Sequence, residues 1–135
     1  MKQSPLLTFG SSAFAALPGE EDETNPGIFG KALARWLSGQ LRDAGFMTGD
    51  VIAEDFGWCV PVEAKSHSLY VACASTDETA ERWQVFTFAE GGVMSRLLDK
   101  DERAQSVASL FSAVRRCLES SPKVSGLREQ GLDTG

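Results

Sequence analysis

Apolar residues recur at helical spacing in two stretches of this chain and alternate in three others. Phe29, Leu33, Trp36, Leu37, Leu41 and Ala44 form one face, with Lys31, Arg35, Ser38 and Arg42 opposite. The spacing predicts a helix from Pro26 to Ala44, capped by Asn25 and closed by Gly45. Pro26 suits the first helical position because its absent N–H would be unpaired there anyway. A second stripe, Ala104, Val107, Ala108, Phe111, Val114 and Leu118, predicts a helix over 100–118. Asp99 and Glu102 would form its capping box, and Pro122 lies beyond its end.

Period-two alternation predicts strands at Trp58–Ala64, Leu69–Ala74 and Arg82–Ala89. The first two read as a hairpin around Lys65-Ser66-His67-Ser68. Pairing Ala64 with Leu69 sets Val62 against Val71 and Val60 against Cys73, and puts Cys59 on the opposite face. A one-residue slip would mix the faces. Pro61 implies an edge position or a bulge. Arg82–Ala89 is apolar on both faces, with Trp83 and Val85 on one and Phe86 and Phe88 on the other. A strand covered on one side does not need that, so either a second layer or a partner is expected. Leu6–Phe9 and Val124–Leu127 predict short outer strands, and Gly91-Gly92 a turn. The order β-α-β-β-β-α-β gives an α+β fold, a two-layer domain with a mostly antiparallel sheet packed against two amphipathic helices. Residues 1–130 form one such domain, and 131–135 a frayed tail.

Length and charge narrow the function classes. The chain has 135 residues, 42% of them hydrophobic, and a net charge of −6. That is enough chain for one real core, and the wrong sign for nucleic acid, which is bound by basic surfaces. Cys59, Cys73 and Cys117 are odd in number and form no CxxC pair, so neither a disulfide framework nor a zinc site is indicated, and a cytoplasmic location is expected. Pro5, Gly10, Ser11 and Ser12 interrupt the N-terminal apolar stretch, which fits a signal peptide poorly. No apolar run is long enough for a membrane span.

Catalytic sets are missing from the pattern. His67 is the only histidine, there is no GxSxG elbow, and neither GxxxxGK[ST] nor GxGxxG occurs. Cys73 reads as a core residue, and Cys117 lies near a helix C-terminus, which disfavours a thiolate; Cys59 is the remaining candidate nucleophile. No cofactor is implied.

Two acidic clusters stand out, Glu20-Glu21-Asp22-Glu23 and Glu54-Asp55, the second running into Phe56-Gly57-Trp58. The first precedes the positive end of the predicted helix dipole, which accounts for part of it. The carboxylates, with Glu63, are also oxygen ligands for Ca²⁺ or Mg²⁺, although the spacing is not that of an EF-hand loop. The leading expectation is a non-enzymatic protein-binding module. Glu20, Glu21, Asp22, Glu23, Glu54, Asp55, Phe56 and Trp58 would form an acidic, aromatic-edged surface for a basic protein partner. The alternative is an acid-based enzyme or divalent-cation-binding protein using the same clusters. A homodimer burying the spare face of the third strand is a further reading.

The stretches ALPGEEDETNPGIFGKALARWL (Ala16–Leu37) and EDFGWCV (Glu54–Val60) resemble small bacterial proteins of similar length, and the similarity covers most of the chain. The resemblance implies a stand-alone bacterial cytosolic protein. It carries over no functional residue, because that group has no assigned activity. By analogy, small acidic bacterial domains of this kind often serve as toxin-neutralising immunity proteins or accessory subunits.

Overall fold

The computed structural model describes residues 2–64, 68–90 and 100–131. The elements are β1 (Lys2–Gln3), β2 (Leu6–Gly10), α1 (Lys31–Asp43), β3 (Ile52–Glu54), β4 (Gly57–Glu63), β5 (Ser68–Ser75), β6 (Arg82–Glu90), α2 (Lys100–Glu119) and β7 (Ser125–Gln130). The strands make one open antiparallel sheet in the order β3-β4-β5-β6-β2-β7, with β1 also on β6. The expected α+β class is therefore what the chain adopts.

β1 and β2 are two halves of one strand. Gln3 faces Phe88 and Leu7 faces Val85, so the N-terminal strand holds one extra residue between these pairs. Pro5, which has no N–H to give the ladder, sits in that bulge. Ser4 repairs the gap. Its N–H donates to the Thr87 carbonyl, and its Oγ accepts from the Thr87 N–H.

Both helices pack on one face of the sheet. The core there takes Trp58, Val60 and Val62 from β4, Leu69, Val71 and Cys73 from β5, and Trp83 and Val85 from β6. Against these lie Leu33, Leu37 and Leu41 of α1 and Val107, Leu110, Val114 and Leu118 of α2. The α2 stripe differs from the expected one. Leu110 is buried while Ala104 and Ala108 are exposed, because the face turned to the sheet runs through Val107, Leu110, Ala113, Val114 and Leu118 and leaves the two alanines to one side of it. Its expected capping box falls on residue 99, outside the described residues, and on Glu102.

The β4–β5 register is Val62 with Leu69, Val60 with Val71 and Trp58 with Cys73. This is shifted by two residues from the expected pairing. A shift of two conserves every face, so the expected face assignments hold, including Cys59 opposite Cys73. Pro61 has its N–H-less side toward the short segment at 47–49, where its carbonyl accepts from Gly49. β3 was too short, at three residues, to register in the alternation.

α1 begins at Lys31, not Pro26. Gly27 and Gly30 have φ of 81° and 157°, outside helical values, and residues 27–29 join the end of β5 instead. The Ser75 N–H donates to the Phe29 carbonyl at 2.8 Å, and the Phe29 N–H donates to Ser75 Oγ at 3.0 Å. The C-terminus matches expectation. Gly45 N–H reaches the Arg42 carbonyl and Phe46 N–H the Leu41 carbonyl, a Schellman closure with Gly45 at φ 99°. Arg42 then ties down the following loop through Thr48 Oγ1 and Ser38 Oγ.

Gly57 sets the β3–β4 turn. Its φ is 151°, and a Cβ there would sit 2.5 Å from the Cys73 carbonyl oxygen and 2.8 Å from Ala74 Cβ. Gly57→Ala should therefore lower the unfolding free energy by about 2–4 kcal/mol in a urea titration. A loss below about 1 kcal/mol would show that β5 yields without cost at this point.

Candidate docking face

Of the expected site residues, Glu20 departs furthest from its assigned role. It lies in a 3₁₀ turn, Glu20–Asp22, and its side chain is only 2% exposed. Oε1 accepts from the N–H groups of Gly30 at 2.9 Å and Lys31 at 3.1 Å, and Oε2 from Leu17 at 2.6 Å. Gly30 has no side chain to cap α1, so Glu20 caps it from ten residues upstream. Asn25, the expected cap, instead donates from Nδ2 to the Asp55 carbonyl at 2.9 Å.

Glu20's neighbours are partly committed as well. Glu21 Oε2 accepts from the Gly27 N–H at 3.1 Å, and Glu23 lies 3.7 Å from Lys31 Nζ. Asp22 is exposed. The two acidic clusters are thus joined by a bond from the Asn25 side-chain amide to the Asp55 backbone carbonyl.

Trp58 is also displaced from the expected surface. It is 2% exposed and points to the helix face, with Lys31 Nζ 4.9 Å from its ring centroid. Phe56 points the other way and is 44% exposed. Gly57 between them is what allows the two rings to part.

The helix-free face holds what the sequence only half showed. Tyr70 from β5 stacks on Phe88 from β6, with centroids 5.1 Å apart and planes at 19°. Phe86 packs against Phe88 at 5.8 Å, and Phe56 reaches over from the turn to 6.3 Å from both. Cys59 and Ala72 are buried beneath, forming a small second cluster separate from the main core. These rings, with Cys59, Glu54 and Glu90, line a cavity of about 250 Å³. Glu54 and Phe56 were expected in a site. Tyr70, Phe86, Phe88 and Glu90 were not, although the two-faced apolar pattern of β6 was their signal. Asp55 is exposed in the turn beside the cavity.

Cys59, the thiol that lines this cavity, is held away from thiolate chemistry. Burial, and then the nearby charges of Glu54 and Glu90, push the Cys59 thiol up to about 12. At neutral pH it stays protonated and unreactive. Full burial raises Cys73 well above the usual thiol range, and burial raises Cys117. His67 lies outside the described residues. Among the described residues no group of three or more His, Cys, Asp or Glu is placed to hold a metal ion. No described helix is long and apolar enough to cross a membrane.

No protein-family model matches the chain, and neither a curated protein nor a solved structure shows significant similarity to it.

An isosteric change separates capping from docking at Glu20. The amide of Glu20→Gln would turn an NH₂ group toward a backbone N–H. It should cost about 2–3 kcal/mol in chemical denaturation, against under about 0.5 for Asp22→Asn. Equal effects of the two would remove the capping role.

Proposed function

We propose that this protein is a non-enzymatic protein-binding module whose docking surface is the helix-free face of its sheet. The observation that carries this is the four-ring cluster of Phe56, Tyr70, Phe86 and Phe88 on a face that neither helix covers. Two of the rings, Tyr70 and Phe86, are half-buried, and Phe56 is exposed. Aromatic residues grouped around a concavity with a charged rim are the composition of interface hot spots.

Charge indicates the kind of partner. Glu54, Asp55 and Glu90 edge this face, and the net charge of −6 draws basic molecules to it from a distance. A symmetric pairing of two copies through the same face would bring like carboxylates together, which favours a different, basic protein. Neutralising a basic protein, as an immunity protein does, or serving as an accessory subunit would both use such a surface. The acid run at 20–23 has a smaller share in this reading than the sequence alone suggested. Glu20 is withdrawn into the fold, and Glu21 and Glu23 have local partners.

Quantitative co-purification from the source cell tests the proposal. Phe56→Ser should reduce recovery of the wild-type partner about tenfold or more, with the melting temperature kept. Reversing the charges of Glu21 and Glu23 should change recovery by less than about threefold. Full recovery with Phe56→Ser, or loss only on reversing the loop charges, would overturn the assignment of the docking face.

A further inference from the structure

The cavity on the helix-free face combines two features that a plain apolar patch lacks. Its walls are aromatic, and its ends are anionic. Glu54 enters at the β3–β4 turn, beside Gly57, while Glu90 enters at the far end of β6, opposite Ser68. Among the described residues neither carboxylate has an ion-pair or hydrogen-bond partner. The ion pairs found there are Lys31–Glu23, Arg115–Glu119 and Arg115–Glu129. Both charges act on the cavity floor, because both raise the Cys59 thiol in addition to its burial. An apolar side chain entering here would bury its surface but leave two carboxylates partly desolvated and unpaired, which is costly. A cation would satisfy them.

We infer that this cavity is a receptor for an arginine side chain of the partner, its guanidinium stacked on the accessible rings of Phe56, Tyr70 or Phe86 and paired with Glu54 or Glu90. This rests on the docking face proposed above and names what that face recognises. Aromatic rings attract a cation lying over their faces through their quadrupoles. Arginine fits better than lysine for two reasons. Its planar, weakly hydrated group stacks on rings and sheds water readily, and its donor fork matches a carboxylate edge. The cavity, at about 250 Å³, is wide enough for a flat group to lie along it. The stacked Tyr70–Phe88 pair and the tilted Phe86 offer broad aromatic walls rather than a round socket.

NMR titration of the intact chain with three small probes tests this without knowing the partner. The probes are N-acetyl-arginine methylamide and its lysine and norleucine counterparts. The arginine probe should shift the amides of Cys59, Tyr70 and Phe86 saturably, with a dissociation constant on the order of millimolar. Lysine should bind at least about threefold more weakly and norleucine at least about tenfold. The double variant Glu54→Gln/Glu90→Gln should weaken the arginine probe about fivefold while leaving the fold's spectrum in place. Norleucine binding as well as arginine would overturn the cation assignment and leave an apolar docking face standing. So would a stronger response to lysine, as regards the guanidinium. Silence at these amides with every probe would remove the receptor altogether. The docking face itself fails on separate grounds, if Phe56→Ser leaves partner recovery unchanged.

Discussion

The buried carboxylate of Glu20 is the constraint from which the rest of this architecture follows. α1 starts at a glycine that has no cap of its own, and its first N–H groups would otherwise be orphaned against the sheet. Glu20 supplies a negative charge at the positive end of the helix dipole and three acceptor contacts at once. With the helix start fixed, Gly30 is pressed against the Cys73 carbonyl, where a Cβ would come within 2.5 Å. Residues 27–29 are then drawn onto Ser75, and Asn25 onto the Asp55 carbonyl. That last bond braces the turn carrying Phe56. A chain of contacts therefore links an interior carboxylate to the most exposed ring of the docking face.

The sheet itself has two different economies. On the helix side, large side chains from four strands meet both helices and form the main core. On the other side a smaller cluster, Cys59, Ala72 and Phe88, is covered among the described residues by Tyr70, Phe86 and Phe56. A face left to water normally alternates to polar residues. Here β6 places Phe86 and Phe88 on that face, Phe88 buried in the small cluster and Phe86 partly open to water. That breach of the local rule is the ground on which the docking face is proposed.

Much of this was legible in the residues. The helical periodicity found both helices, and Gly45 marked the end of the first. Parity in β4 and β5 fixed which side chains face the core, even though the pairing was off by two, because the hydrophobic pattern specifies face but not registry. The start of α1 was misread because Asn25-Pro26 is a strong helix-entry signal, and the tertiary pull of Ser75 on Phe29 leaves no trace in the local sequence. Glu20 looked like one of four surface acids for the same reason. A cap supplied from ten residues away is a contact of the fold, not of the pattern. Trp58 and Phe56 read as a pair. Only the conformation of Gly57 sends them to opposite faces.

The proposed docking face implies a division of labour, in which the acids at 20–23 serve chiefly the fold and the aromatic rings meet the partner. Hydroxyl-radical footprinting of the chain, free and in complex with its co-purified partner, tests it most directly. Phe56, Tyr70 and Phe86 should lose reactivity in the complex while Pro26 and Ile28, beside the acidic loop, keep theirs. Protection of Pro26 and Ile28 with the three rings unchanged would contradict it.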